Sequence, residues 1–274
     1  MKVDAMWKLY QNTIEWKNLT PSSRRIYLQG AGYIEEFMTK DADKISRPMV
    51  LDFRDRNFDK KAKCRLGLQV LGLIMRFGYD RGYCLGDPTR AIRSLPPKKG
   101  WERWTQEEID AVMKAADQSV RDAITLALYT GQRRSDLVLM RWDNYDGSYI
   151  HIIQKKTRKP ISIPVHPVLK KELERMRNDN KGETILVSKT GERWMPDYLT
   201  DSVTTVARSL GIDKVLHGLR KTTASVLAEH GCTPHEIAAI TGQSLYEVIK
   251  YTRGAEQKEL ARRAVDRWKN SISS

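Results

Sequence analysis

Along much of the chain, apolar residues return every three or four positions, the spacing that places side chains on one face of a helix. Thr20-Pro21 reads as an N-cap followed by proline in the first helical turn, and Ile26, Tyr33, Ile34 and Phe37 then share a side, which predicts a helix to about Met38. Ser46-Arg47-Pro48 opens a shorter helix carrying Val50 and Phe53. From Lys60 to Arg81 a longer one carries Leu66, Val70, Leu73, Ile74 and Phe77 on one stripe, and Gly82 ends it. Asp87-Pro88 predicts a further brief helical piece with Ala91 and Ile92. The run LPPKKG at 95–100 then breaks all periodicity and reads as a linker.

Beyond that break, Thr105-Gln-Glu-Glu108 is a capping-box pattern ahead of Ile109, Val112 and Met113. A helix through Ile124 and Leu128 closes at Gly131, and another carries Leu137 and Met140. The period then drops to two: 148–154 and 160–165 read as strands around the basic turn KKTRK, with 184–188 as a candidate third strand. Helices resume from about Leu199, break at Gly231, restart at a second capping box, Thr233-Pro-His-Glu236, and stop near Gly242. The predicted fold is mainly α with a small antiparallel β-sheet. It divides into a helical domain (1–97), a linker (98–103) and a mixed α/β domain (104–274). In the tail, Leu260, Ala264 and Trp268 form a narrow apolar stripe over 256–271, expected to pack on its own domain or, as the favoured alternative, on a neighbouring protomer.

Charge narrows the function classes. The chain of 274 residues carries 48 Lys and Arg against 34 Asp and Glu, a formal +14, and the excess is present in both halves. Such a balance favours a polyanionic partner, nucleic acid first, over a neutral small molecule. Cys64, Cys84 and Cys232 are too scattered for a disulfide framework or a zinc site, which implies a reducing compartment. No window is apolar enough for a membrane span or a signal core, so a soluble, intracellular protein is expected, without membrane contact.

Four features carry candidate chemistry. Thr130-Gly131-Gln132-Arg133-Arg134-Ser135-Asp136-Leu137 places Arg133 where a glycine-capped helix end meets the next helix start, a corner suited to an anion and equally compatible with a surface arginine. His217 and Arg220 form an HxxR pair on one helical face, a pattern that also arises by chance. Lys156 stands in the hairpin turn, where most lysines are merely solvated. Gly242-Gln243-Ser244 is followed by Tyr251 on an amphipathic segment with Val248 and Ile249, where a tyrosine also serves packing. No Walker sequence is present, and Asp136, Asp143 and Asp146 lack the partners a two-metal nuclease needs, so neither metal nor cofactor is expected.

Taken in order and spacing, TGQRRSDL, the hairpin KKT, HGLR and the late tyrosine resemble the tyrosine recombinase, or phage integrase, family from about Trp104 to about Ala264. Residues 20–95 resemble, more loosely, its helical core-binding domain. The resemblance implies a catalytic second domain that cuts and rejoins duplex DNA through a 3′-phosphotyrosyl intermediate. By position, Arg133 and Arg220 match the catalytic arginines, Asp136 the acidic residue supporting the first, Lys156 the hairpin lysine, His217 the HxxR histidine and Tyr251 the nucleophile. Gln243 stands where the family usually has histidine or tryptophan, and its amide does not exchange a proton near neutrality. The interval from Gln243 to Tyr251 is one residue shorter than the usual pattern, which leaves Tyr246 as a rival nucleophile.

The same resemblance implies a monomer or weak dimer free in solution, a homo-tetramer on paired sites, and an accessory DNA-bending protein as an optional partner. Association with the nucleoid follows. Lys60, Lys61, Lys63 and Arg65 at the start of the 60–81 helix are the candidate groove-facing residues, with a solvated helix face as the alternative. Nineteen residues precede the first predicted helix, too few for a separate arm-type DNA-binding domain. The alternatives by function are a type IB topoisomerase, a non-catalytic DNA-binding protein on a recombinase scaffold, and a metal-dependent nuclease.

Overall fold

The computed structural model describes residues 1–93, 95, 102–180, 182–251 and the single positions 261, 262, 265 and 268. The chain forms two compact units, Met1–Gly100 and Trp101–Ser274. Much of the predicted 98–103 linker and most of the tail stripe lie outside the described residues. Among the described residues, no helix is long and apolar enough to cross a membrane.

The first unit is helical: α1 (Val3–Tyr10), α2 (Ile14–Lys17), α3 (Pro21–Gly32), α4 (Glu35–Met38), α5 (Arg47–Arg56) and α6 (Lys61–Asp80). Val3, Met6, Trp7 and Tyr10 bury one face of α1, and Trp7, Tyr10, Trp16 and Phe77 pack edge to face beneath it. Sequence reading did not predict α1. The predicted 20–38 helix is broken at Tyr33 and Ile34, and Ile26 is exposed. Ile34 and Phe37 are buried as expected, and Gly30 and Ala31 join them, because α3 meets α6 through glycine: a Cβ on Gly30 would stand 2.5 Å from Val70 Cγ2 and 3.0 Å from Leu66 Cγ. The piece expected after Asp87 is a turn. Asp87 Oδ1 accepts from Thr89 N (2.9 Å) and Thr89 Oγ1 (2.5 Å), and this local bonding competes with a helix.

In the second unit, α7 (Gln106–Ala115) starts on the predicted capping box and α8 (Gln118–Thr130) ends on Gly131. The short α9 (Arg134–Leu137) follows, then β1 (Tyr149–Ile153) and β2 (Pro160–Pro164), paired antiparallel with Ile150 opposite Ile163. Next come α10 (Pro167–Asp179), α11 (Pro196–Ser209), α12 (Leu216–Glu229) and α13 (Pro234–Thr241). α8 runs through the core, with Ile124, Leu126 and Ala127 buried against residues of α10, α11 and α12.

No third strand forms over 184–188. Ile185 N donates to Met140 O and Trp142 N to Glu183 O, but 142–144 turns at once into a 3-10 helix, so the ladder has nowhere to extend. The entry to the unit is strapped along α12: Trp104 N donates to Thr222 Oγ1 (2.8 Å) and Trp104 Nε1 to Val215 O (3.0 Å).

The α3–α6 contact yields a paired test. Gly30→Val should overpack the interface and lower unfolding stability by about 1–3 kcal/mol in chemical denaturation. Gly32→Ala, with nothing within 4 Å of the added methyl, should be neutral or stabilising by under about 1 kcal/mol.

Candidate active site

Two identical corners build the site. Thr130-Gly131-Gln132 ends α8 and Thr241-Gly242-Gln243 ends α13, with left-handed glycines at φ +62° and +67°. In each, the threonine hydroxyl turns back to the carbonyl four residues earlier, Leu126 and Ile237. A side chain at either glycine is excluded by conformation and by space: a Cβ on Gly131 would sit 2.9 Å from Thr241 Cγ2, and one on Gly242 would collide with Ile161 and the Gln154 amide.

Arg220 joins the corners. It is 4% exposed, and its Nη1 donates to Gly131 O (2.6 Å) and Thr241 O (2.8 Å), while Nη2 is buried without a partner. Burial, then the positive charge of Arg133, pulls its pKa down to about 10. Arg133, at the N-cap of α9, donates from Nη1 to Gln154 Oε1 at 3.1 Å and stands 4.0 Å from Asp136 Oδ2. Asp136 is buried, and its Oδ1 accepts from Lys155 N (2.9 Å), which fastens the hairpin to α9. Gln243 is 5% exposed, with Oε1 unpartnered.

His217 lies one turn before Arg220 on α12, with solvent on one side. Crowding by protein, followed by the charges of Arg220 and Arg133, holds its imidazole below the usual histidine pKa. Lys156 is exposed in the turn that begins beside Asp136 and Gln154. Tyr251, half-buried on the helical segment 245–251, lies with its ring 5.3 Å from Lys221 Nζ. It borders a cavity of about 610 Å³ lined also by Arg103, Lys214, Ser225 and Glu229. Burial, then Glu247, raises its phenol pKa, and Arg220 opposes that shift. Among the described residues no hydrogen bond links the phenol to either arginine. Tyr246 is 76% exposed.

The arrangement thus gathers Arg133, Asp136, Arg220 and Gln243 at the two corners, sets His217 and the Lys156 turn beside them, and keeps Tyr251 against α12. Sequence reasoning missed Gln132 and Gln154, which are 2% and 0% exposed and bridge the corners. In the first unit, Lys60, Lys63 and Arg65 are exposed and Lys61 is half-buried; Lys61 Nζ lies 4.5 Å from the Phe58 ring centre and Lys63 Nζ 5.5 Å from that of Tyr33. The first turn of α6 has no acidic residue, so Lys60, Lys61 and Lys63 stand at the positive end of its dipole, with Asp59 in the turn just before it.

Helical packing around a two-stranded hairpin, with two guanidiniums at its helix ends, defines the class of protein. The phage integrase family model matches residues 102–258, more than half of the sequence, and the chain belongs to that family. It is 27% identical over 180 residues to the integrase of Escherichia phage HK022, covering 60% of this chain and 50% of that protein. To the integrase of Enterobacteria phage 434 it is 30% identical over 139 residues, covering 47% and 39%. The chain thus spans about half the length, or less, of these curated relatives.

In fold it is similar to lambda integrase (75–356), solved as a dimer bound to a COC′ core site: TM-score 0.84, 21% identity, 92% of this chain and 95% of that one. The Tn1549 transposon integrase, solved with transposon right-end DNA, gives 0.78 at 14% identity over 95% and 100%.

The guanidiniums beside His217 have a measurable consequence. In an NMR titration His217 should titrate below its ordinary 6.5, and Arg133→Ala, which removes a repelling cation, should move it upward. Because the folded value is the lower one, the unfolded chain takes up the proton first. The contribution to stability is therefore present above 6.5 and lost as pH falls through the folded pKa.

Proposed function

We propose that this chain is a site-specific DNA recombinase that cuts and rejoins duplex DNA through a 3′-phosphotyrosyl intermediate on Tyr251. One observation carries the reading: two guanidiniums meet at paired helix ends, and the buried one keeps Nη2 without a partner. A nonbridging phosphate oxygen suits that donor, and paired N–H groups match its geometry where lysine does not. Membership of the phage integrase family supports the same assignment, as do relatives solved on core-site and transposon-end DNA.

In this reading Tyr251 Oη attacks phosphorus and the bond from phosphorus to the 5′ oxygen breaks. The phenol proton passes to His217, whose lowered pKa keeps the imidazole neutral at pH 7 and able to accept. The freed 5′ oxygen takes a proton from Lys156. Charge builds on the nonbridging oxygens in the transition state, where Arg133 and Arg220 stabilise it more than in the ground state. The phosphotyrosyl ester retains the energy of the broken bond, so rejoining is the reverse attack by a 5′ hydroxyl and needs no ATP. Asp136 steadies Arg133, and Gln243 contributes hydrogen bonding rather than proton transfer.

In this reading the 245–251 segment shifts from its seat against Lys221 to bring Tyr251 onto the phosphate. DNA binding is the event we assign to that movement. Lys60, Lys61, Lys63 and Arg65 supply phosphate contacts whose contribution falls with salt. The working assembly is a homo-tetramer on paired sites inside the cell, with an accessory bending protein as an optional partner; lambda integrase has been solved as a tetramer on a Holliday junction.

The placement of Tyr251 and the presence of Gln243 favour, as second reading, a DNA-binding protein that does not cleave. A nicked duplex that traps the covalent complex separates the two. Wild type should accumulate protein–DNA adduct, Tyr251→Phe should form none while binding DNA normally, and Arg133→Lys or Arg220→Lys should slow adduct formation about a hundredfold or more. Binding without adduct in the wild type would establish the second reading.

A further inference from the structure

We infer that Gln154 is a positioning residue: it presents one fixed oxygen to Arg133 and ties that guanidinium to the turn carrying Lys156. The inference deepens the reading of Arg133 as a phosphate ligand and rests on it. Gln154 ends β1 and is 0% exposed, although the five residues after it are all exposed. Every hydrogen-bonding valence of its side chain is used. Oε1 accepts from Arg133 Nη1 (3.1 Å) and from Thr157 Oγ1 (2.9 Å), and Nε2 donates to Gln132 Oε1 (2.6 Å) and Thr241 O (3.0 Å).

The orientation of this amide is forced by its neighbours. Gln132 Nε2 faces three carbonyls, those of Thr130 (3.0 Å), Ile240 (3.0 Å) and Thr241 (3.3 Å), so its NH₂ group must point there. That leaves Gln132 Oε1 toward Gln154, which must answer with its own NH₂ and so turns its oxygen to Arg133. Flipping Gln154 would set NH₂ against a guanidinium and oxygen against two acceptors. Thr241 O also accepts from Arg220, so one carbonyl serves both the Gln154 amide and the second arginine.

The turn is held by the same group. Thr157 is bonded to Gln154 Oε1 and Lys155 N to Asp136, so both residues flanking Lys156 are fastened to the Arg133 motif. Loss of the Gln154 oxygen frees the guanidinium and one side of the turn together.

The test uses the full chain. Gln154→Met keeps length and volume but removes all four hydrogen bonds, while Gln132→Met removes the other amide and leaves Arg133 its acceptor, because Thr241 O still fixes the Gln154 NH₂. Single-turnover cleavage of a nicked duplex by Gln154→Met should fall about ten- to hundredfold, with DNA affinity within about twofold of wild type. In an Arg133→Lys background the same substitution should cost under about twofold, because the group it positions is already gone. A purely structural role would cost the same in both backgrounds, and that outcome, or wild-type cleavage by Gln154→Met, overturns the proposal.

Guanidinium ¹⁵N NMR reads the claim without catalysis. Arg133 should show restricted Nη rotation in wild type and Gln132→Met and free rotation in Gln154→Met; free rotation in wild type also overturns it. A wild type that holds Arg133 rigid but cleaves nothing would instead refute the recombinase reading alone. Should the Met variant not fold, Gln154→Asn, which withdraws the amide by one methylene, replaces it in every arm.

Discussion

The geometry of the second unit's candidate site depends on one guanidinium bonded to two carbonyls. Arg220 Nη1 reaches Gly131 O and Thr241 O, the capping carbonyls of two helices that end 110 residues or so apart in sequence. Each carbonyl is a helix-end acceptor without an intrahelical donor, and a charged donor satisfies both at once. The corners can approach closely because each is turned by a left-handed glycine with no Cβ. Once they are joined, Arg133 is placed as the residue that follows the first corner, Gln243 as part of the second, and His217 by the helix that carries Arg220. The site is therefore a consequence of how two helices terminate.

Much of this was legible in the chain. Both glycine stops, both capping boxes and the hairpin follow from local rules, and Arg133, Arg220, Lys156 and Tyr251 stood out by residue type, order and resemblance. Gln132 and Gln154 did not. A glutamine beside a basic turn has the pattern of a solvated loop, and nothing local marks it as buried; its burial comes from α13 closing over β2, a contact made by distant residues. The α1 helix is a different case, because Val3, Met6, Trp7 and Tyr10 do recur at helical spacing and the signal was present. The buried face of α3 and the failed third strand were hidden for a tertiary reason: a glycine contact with α6 decides the first, and the 3-10 turn beside Met140 decides the second.

The two charge distributions answer to the same physics on different scales. In the first unit, cations gather at the end of α6 where the helix dipole already repels them. In the second, burial and then the charge of Arg133 bring Arg220 down to about 10, and burial followed by the charges of Arg220 and Arg133 pushes His217 toward its neutral form. Neither arrangement is the one that folding stability alone would select.

An anion placed between the guanidiniums would oppose the part of these effects that comes from like charge. It would screen Arg133 from Arg220, occupy the unpartnered Nη2, and raise the pKa of His217, the group proposed to accept the phenol proton. Tyr251 follows the opposite logic: held against α12 beside Glu247, its phenol pKa is raised and its proton retained, and movement toward two arginines would lower it. In the recombinase reading proposed above, bound phosphate and an approaching phenol would shift the proton in the same direction, from Tyr251 to His217.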